Sequence, residues 1–206
     1  MMSGDFAPYN PLDKRNLAAS VAEALLGRQA VSLGDVVAAT FYGAGIYVLY
    51  YTGPFLAYAP LAERNRQGCF EVPIYIGKAV PSGARKGGDD LQGAAGTALS
   101  GRLKDHAESI QAARETLDIA DFHCRFLVVE DIWIPLGESL LITKFSPVWN
   151  IIVEGFGNHN PGSGRHRGKR PRWDVVHPGR AWAELCAARD ETADDILAKV
   201  GAHFRL

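Results

Sequence analysis

The chain has 206 residues, 47% of them hydrophobic, which is enough for one substantial core but short for two domains. Its formal net charge of -1 argues against a protein that coats nucleic acid without selectivity, because such proteins are usually strongly basic. Three cysteines without Cys-x-x-Cys spacing predict neither a disulfide framework nor a structural zinc site. No apolar run has the length of a membrane span and the first residues lack a signal-peptide pattern, so we expect one cytoplasmic domain.

The first half of the chain predicts a helix followed by two strands. Apolar residues recur at helical spacing between Asp13, a good N-cap residue, and Gly27, a good helix stop. Residues 45–51 alternate apolar side chains on both faces, which predicts a strand covered on both sides. A second strand is predicted at residues 73–77. The connection between them, residues 52–71, is too long for a tight hairpin and is interpreted as an insertion.

The second half predicts a loop and then alternating helices and a strand. Residues 81–101 carry six glycines, and we expect them to form a mobile loop that could close over a ligand. The elements predicted after this loop are a helix at 102–117, a strand at 122–130, a helix opened by proline at 135–145, and weaker helices at 181–188 and 191–200. The order of the central elements is therefore strand, strand, helix, strand, helix.

Positive charge is concentrated in residues 160–180. This stretch carries one acid, Asp174, and a local charge of +5, because its six basic residues are Arg165, Arg167, Lys169, Arg170, Arg172 and Arg180. A solvated loop is the ordinary explanation of such a run. The alternative is a nucleic-acid contact, since arginines on a loop can bind guanine edges or phosphates.

Two tripeptides lie inside the predicted strands, Gly45-Ile46-Tyr47 and Tyr75-Ile76-Gly77. A single tyrosine on an apolar strand is usually a core aromatic. The adjacent glycines favour another interpretation, because a residue without a side chain lets backbone or ligand approach each phenol. The two triplets on consecutive strands therefore mark a candidate site.

Arg102 and His106 are four residues apart on a predicted helix, so their side chains share one face and can reach one phosphate. The arginine fork suits a phosphate because it donates to two oxygens at once. A surface pair with Asp105 or Glu108 as ion-pair partners is the alternative. Lys78, directly after the second triplet, would add positive charge near such a phosphate or is the exposed end of a strand.

An acid and an amide flank an apolar helix further along the chain. Glu138 lies near its start, and Pro147 and Asn150 follow its end. An acid near a helix N-terminus ordinarily compensates the helix dipole. The segment also resembles the metal-binding helix of the GIY-YIG nuclease family, in which a glutamate is followed by an apolar face, a proline and an asparagine. With the two tripeptides, the resemblance covers residues 45–150.

This resemblance implies an α+β fold, in which a small antiparallel sheet of about three strands is flanked by helices. It also implies a role for each matched residue. Tyr47 and Tyr75 would surround the attacking water, and Arg102 would hold the phosphate. Glu138 would bind the divalent metal, and Asn150 would support the site.

His106 and the long insertions depart from the compact pattern of the family. Many members have a tyrosine at the position of His106, which leaves the general base open among Tyr47, Tyr75 and His106; our hypothesis is Tyr47 assisted by His106. With the histidine at this position and these insertions, the chain looks most similar to the short type II restriction endonucleases of the family that cut the palindrome CCGCGG. The predicted organisation is a single domain with a catalytic core at 43–151, an N-terminal helical extension at 1–42, and a basic loop with C-terminal helices at 152–206.

The activity implied is sequence-specific cleavage of double-stranded DNA with Mg²⁺ or Mn²⁺. One carboxylate suggests a single metal ion, because no other acids converge in the sequence. A palindromic target implies a homodimer on DNA. The expected DNA contacts are Lys78, Arg85, Lys86, Arg165, Arg167, Lys169, Arg170 and Arg172. Two alternatives stay open: a repair or homing nuclease of the same family, and a DNA-binding module without turnover.

Overall fold

A computed structural model describes residues 10–81, 96–162 and 167–205. Within them the strands are β1 (Val31–Ser32), β2 (Gly45–Tyr51), β3 (Tyr75–Ala79) and β4 (Phe122–Val128). The α-helices are α1 (Lys14–Leu26), α2 (Leu33–Ala38), α3 (Ala59–Asn65), α4 (Ala98–Ala112), α5 (Ile134–Phe145), α6 (Val148–Ile151), α7 (Arg172–Val176), α8 (Ala181–Glu184) and α9 (Ala193–His203). No helix among these residues is long and apolar enough to cross a membrane.

The strands form one antiparallel sheet in the order β1-β4-β2-β3. This confirms the predicted α+β class and corrects the strand count from three to four. The additional strand, β1, has two residues, and two residues are too few to show an alternating pattern in sequence. On β2, Tyr47 lies opposite Gly77 of β3 and opposite Phe126 of β4, so the two tripeptides are directly paired.

Every residue of β2 is buried, because helices cover both faces of the sheet. Ile46, Val48 and Tyr50 pack with residues of α1 and α5 in one core cluster. Tyr47, Leu49 and Tyr51 belong to a larger cluster on the other face, which includes residues of α4, α6, α7 and α9. The prediction of a strand covered on both sides is confirmed.

The predicted ends of several elements shift in the structure. β3 begins at Tyr75 rather than 73, because Pro73 has no N–H to donate to a ladder, and it continues to Ala79 opposite Gly45. α4 begins four residues before Arg102 and includes Gly101, because a glycine lowers helix propensity by only about 1 kcal/mol and does not prevent a helix. In contrast, α1 starts and stops as predicted, with Asp13 accepting from the Arg15 amide and Gly27 at its end.

The insertion at residues 52–71 is ordered in this structure and includes α3. Asn65, at the end of α3, is wholly buried and bridges the two ends of the insertion. Its amide donates to the carbonyls of Tyr51 and Val72 over 3.1 and 2.8 Å, and its oxygen accepts from the Val72 N–H. The insertion is thereby closed at its base, which lets β2 and β3 pair despite the long connection.

Candidate active site

Tyr47 lies at the centre of β2 with its side chain wholly buried. Its hydroxyl is 2.5 Å from Nε2 of His106. A Cβ atom at Gly77, the residue opposite, would collide with that hydroxyl and its ring. Gly77 is therefore required where it stands, because its missing side chain makes the space that the phenol occupies.

His106 projects from α4 into the same interior space and is 1% exposed. Its ring stacks on Phe156 with centroids 4.4 Å apart and planes 17° from parallel. Burial, followed by the nearby positive charge of Arg102, holds the His106 pKa well below its ordinary value. The alternative of a surface pair is wrong for His106, since no surface partner can reach a buried ring.

Burial also raises the pKa of Tyr47 well above its ordinary value, and Tyr75 raises it further, while Arg102 opposes both. The two shifts describe one resting state: a neutral phenol beside a neutral imidazole. In that state the Tyr47 hydroxyl can donate to an unprotonated Nε2 of His106.

Tyr75 occupies β3 next to this pair and is partly exposed. Its ring centroid is 6.3 Å from that of Tyr47 and 5.3 Å from that of His106. Burial raises the pKa of Tyr75, and Arg102 lowers it. Tyr75 differs from Tyr47 in that it lines an open cleft, so it stands between the buried pair and solvent.

The cleft has a volume of about 650 Å³. Its charged and titratable lining residues, apart from Tyr75, are Lys78, Arg102, Asp105, Glu138 and His159. A cleft of this volume that mixes positive groups with one or two acids can accept a phosphodiester, because the positive side chains offset the phosphate charge.

Arg102 is held in this cleft by residues that follow α6. One terminal nitrogen donates to the Gly157 carbonyl at 2.6 Å, and the other contacts the imidazole of His159. The Cβ that glycine lacks at position 157 would lie 2.5 Å from the Tyr75 hydroxyl and 3.0 Å from Arg102. The loop after α6 therefore packs directly against two of the predicted site residues.

Glu138 lies in the second turn of α5 and lines the cleft. α5 packs on one face of the sheet, and α4, which carries Arg102, packs on the other. The Glu138 carboxylate accepts from the Lys78 ammonium at 2.6 Å, and its side chain is 17% exposed. Lys78 is thus not only a strand end: it is paired with the predicted metal ligand.

Asn150 makes no contact with Glu138 that the structure shows; it binds the edge of the sheet instead. Its oxygen accepts from the Ile76 N–H at 2.9 Å, and its nitrogen donates to the Ile76 carbonyl at 2.8 Å. These two bonds replace a neighbouring strand at the middle of the Tyr75-Ile76-Gly77 triplet. This geometry is compatible with the supporting role that the resemblance implies.

The residues present suit one hard divalent ion rather than a cage of acids. Among the described residues no group of three or more histidines, cysteines and acids gathers as a metal centre. A single carboxylate beside an open cleft fits Mg²⁺, which keeps several waters and binds through one or two carboxylates plus substrate phosphates. The fit rests on Glu138 alone, and the metal stays a prediction.

The basic stretch is less free for DNA than its charge indicates. Lys169 pairs with Asp190 at 2.5 Å, and two nitrogens of the Arg172 fork donate to Glu191. Arg170 donates to the carbonyls of Ala183 and Glu184. These contacts favour a structural role for Arg170 and Arg172. Arg167 is exposed, and Arg85, Lys86 and Arg165 lie outside the described residues.

Sequence reasoning missed Phe156, Gly157 and His159, which complete the site from the loop after α6. They carry no regular period, and their contacts are with residues about 50 to 80 positions earlier in the chain. The one available signal was the run Gly155-Phe156-Gly157 placed shortly after Asn150.

A phenol and a histidine packed behind a cleft that presents a second phenol, an arginine and a glutamate is the arrangement expected of a GIY-YIG nuclease. The chain belongs to the Eco29kI GIY-YIG domain family, whose model matches residues 39–204. This is a family of type II restriction endonucleases. A comparison with curated proteins gave no match. The family match extends well past Asn150, so the C-terminal helices belong to the family's domain and are not an addition to it.

Proposed function

We propose that this protein is a type II restriction endonuclease that hydrolyses both strands of DNA at a short, GC-rich palindrome such as CCGCGG, using Mg²⁺ or Mn²⁺. The observation that carries the proposal is the buried Tyr47 and His106 pair beside a cleft that presents Arg102 and Glu138. Membership in a restriction endonuclease family supports this class over a repair or homing enzyme.

The Tyr47 and His106 pair provides the base. A phenol is too weak an acid to lose its proton at neutral pH, and burial makes it weaker still. Tyr47 can nevertheless accept the proton of an attacking water if its own proton passes to His106 in the same step. Tyr75, which lines the cleft, contacts the water or the phosphate.

Arg102 and Glu138 act on the phosphate from two sides. The guanidinium of Arg102 stabilises charge that develops on the phosphate oxygens, and its hold on the Gly157 carbonyl fixes its direction. Glu138 would hold the divalent ion, which when bound stabilises the leaving 3′ oxygen. The Lys78 ammonium is paired with Glu138 and lines the same cleft. When Glu138 binds the metal ion instead, Lys78 would be released to contact the DNA phosphate.

The function is tested by incubating the purified protein with plasmid DNA, with and without Mg²⁺, and sequencing the ends. We expect discrete fragments that share one palindromic end sequence and that appear only with the metal. Degradation without a shared end sequence, or cleavage that persists in a chelator, would contradict the proposal.

A further inference from the structure

Arg180 is a buried arginine that the proposed chemistry does not use. It is 5% exposed, and its guanidinium lies between two indole rings, 4.6 Å from Trp173 and 4.7 Å from Trp182. Asp174 accepts from its Nε at 2.7 Å and from a terminal nitrogen at 2.5 Å. The charge of Arg180 is therefore neutralised within the protein, and its position is fixed on three sides.

The remaining N–H groups of Arg180 all point at one short segment of backbone, residues 155–158, which we call the 155–158 loop. They donate to the carbonyls of Gly155 at 2.9 Å, Phe156 at 2.9 Å and Asn158 at 3.2 Å. A guanidinium can serve an aspartate and three carbonyls together because it has five donors in a fixed plane. A lysine ammonium has three donors and cannot make all five of these hydrogen bonds.

The 155–158 loop is the same segment that contacts the catalytic residues. The Phe156 ring stacks on His106, and the Gly157 carbonyl accepts from Arg102 at 2.6 Å. A shift of the loop would therefore move the histidine behind the base and the arginine on the phosphate together.

We propose that Arg180, clamped by Asp174, is a positioning residue that sets the 155–158 loop and through it the directions of His106 and Arg102. This inference rests on the proposed nuclease function. It assigns a role in the site to a residue whose charge would otherwise be counted with the DNA-binding stretch.

The test compares Arg180→Lys and Gly157→Ala with wild type in single-turnover cleavage at saturating DNA. Arg180→Lys keeps the charge but loses the fork. Gly157→Ala leaves Arg180 intact and pushes directly on the Tyr75 hydroxyl and the Arg102 guanidinium. Each variant should cleave about 100-fold more slowly, since an ångström of misplacement costs about that much, while DNA binding by fluorescence anisotropy changes little.

The matched control is Arg189→Lys, an arginine of the same C-terminal region that binds Glu191 and the Arg170 carbonyl and does not touch the loop. It should cleave at the wild-type rate. A folded Arg180→Lys protein that also cleaves at that rate would overturn the proposal. If Arg180→Lys does not fold, Gly157→Ala decides, and a wild-type rate in that variant overturns it equally.

A wild-type protein that leaves every DNA intact would refute the proposed function, and a separate signal then tests the positioning. Phe156 shields the protons of the His106 ring that stacks on it, so their NMR resonances report the loop position. Arg180→Lys should shift these resonances, and Arg189→Lys should not. Unchanged His106 resonances in folded Arg180→Lys would show that Arg180 does not position the site.

Discussion

The pKa shifts of Tyr47 and His106 restrict how a proton can move at this site. Burial disfavours the phenolate and the imidazolium alike, so neither partner holds a charge before substrate arrives. A transfer that passes one proton to Tyr47 while another leaves for His106 avoids a free phenolate at any stage. The site therefore depends on the 2.5 Å contact itself and not on either residue alone.

Tyr47→Phe should remove cleavage while DNA binding is retained. Loss of a positioned acid or base typically costs about 10² to 10⁴ in rate, and the phenyl ring keeps the packing of the strand. The matched control is Tyr50→Phe, on the opposite face of β2, where the lost hydroxyl accepts from Arg125. Single-turnover assays should show near wild-type cleavage by the control, and substantial turnover by Tyr47→Phe would exclude Tyr47 as the base.

Glu138→Gln should abolish the Mg²⁺-dependent cleavage of DNA. The amide has the size of the acid but lacks the charge that a divalent ion needs. DNA binding should be unchanged or tighter, because one negative charge leaves the cleft and Lys78 loses its partner. Glu23→Gln, an exposed acid on α1, serves as the control. Metal-dependent cleavage by Glu138→Gln at the wild-type rate would show that the ion binds elsewhere.

Among the elements, β3 is held at the middle of its outer edge by a side chain of α6. Asn150 at α6 satisfies the N–H and the carbonyl of Ile76, where a further strand would otherwise pair. Tyr75 and Gly77 flank that residue, so the position of both follows from these two bonds.

Asn150→Asp should therefore lower both stability and cleavage. The aspartate keeps the acceptor for the Ile76 N–H but places an oxygen against the Ile76 carbonyl, where a donor is needed. Leaving such a group unsatisfied costs about 1 to 3 kcal/mol of unfolding free energy. Urea unfolding and single-turnover cleavage measure the two effects, and Asn150→Asp with unchanged stability would mean that the amide bonds contribute nothing to β3.

A buried hydrogen-bond chain links the insertion to the helices of the C-terminal region. Trp149 Nε1 donates to the Tyr58 hydroxyl at 2.9 Å, and this hydroxyl lies 2.7 Å from Nε2 of His177. The Thr116 hydroxyl donates to the Ala113 carbonyl at 3.2 Å, so Nδ1 of His177 donates to Thr116 over 2.9 Å. In the neutral imidazole Nε2 is then unprotonated and accepts from the Tyr58 hydroxyl. The chain requires a neutral His177.

The free energy of unfolding should therefore fall in acid through His177. Burial lowers the His177 pKa from 6.5 to about 3. Between these two pKa values, His177 is protonated in the unfolded chain but neutral in the folded protein. The free energy of unfolding is therefore highest above pH 6.5. It falls as the pH is lowered, by up to about 1.4 kcal/mol per pH unit. Urea titrations of wild type and His177→Gln from pH 8 to pH 4 should give a flatter curve for the variant. Parallel curves would contradict the assignment.

Sequence patterns predicted elements well where local signals were strong. The bounds of β2 were predicted correctly from its run of aromatic and β-branched residues, and α1 from its caps. β1 and α2 were missed because a two-residue strand and a six-residue helix have too few positions for a period to appear. α9 begins after Thr192 rather than at 191, since Thr192 forms a capping box with Asp195.

The sequence allowed prediction of those candidate-site residues that belong to a motif on a strand or helix. It did not allow prediction of the site residues that lie on a loop. Tyr47, Tyr75, Arg102 and Glu138 gather around one cleft and the space behind it. The loop residues that hold them could not be found, because contacts between distant segments leave no local period. Arg180 shows the limit clearly: in sequence it adds to a basic stretch, and in the structure it is a buried ion pair with Asp174.

At the scale of the whole molecule, each chain supplies one set of Tyr47, Arg102 and Glu138. A single site hydrolyses one strand, so cutting both strands of a palindrome asks for two copies related by a twofold axis. We expect sedimentation velocity to show two protein chains on one short duplex that contains the target. Only one chain per duplex at saturating protein would contradict the dimer while leaving the chemistry of a single strand intact.

The central claim is that Tyr47, Arg102 and Glu138 act on the same phosphate, and a crystal structure of Tyr47→Phe bound to its uncut target with Mg²⁺ tests it most directly. We expect one phosphodiester in the cleft, in contact with Arg102, with a magnesium ion shared between that phosphate and Glu138. The edge of the phenyl ring that the substitution leaves on β2 should face the attacking side of the phosphorus. A scissile phosphate bound outside this cleft, or a metal held away from Glu138, would contradict the account.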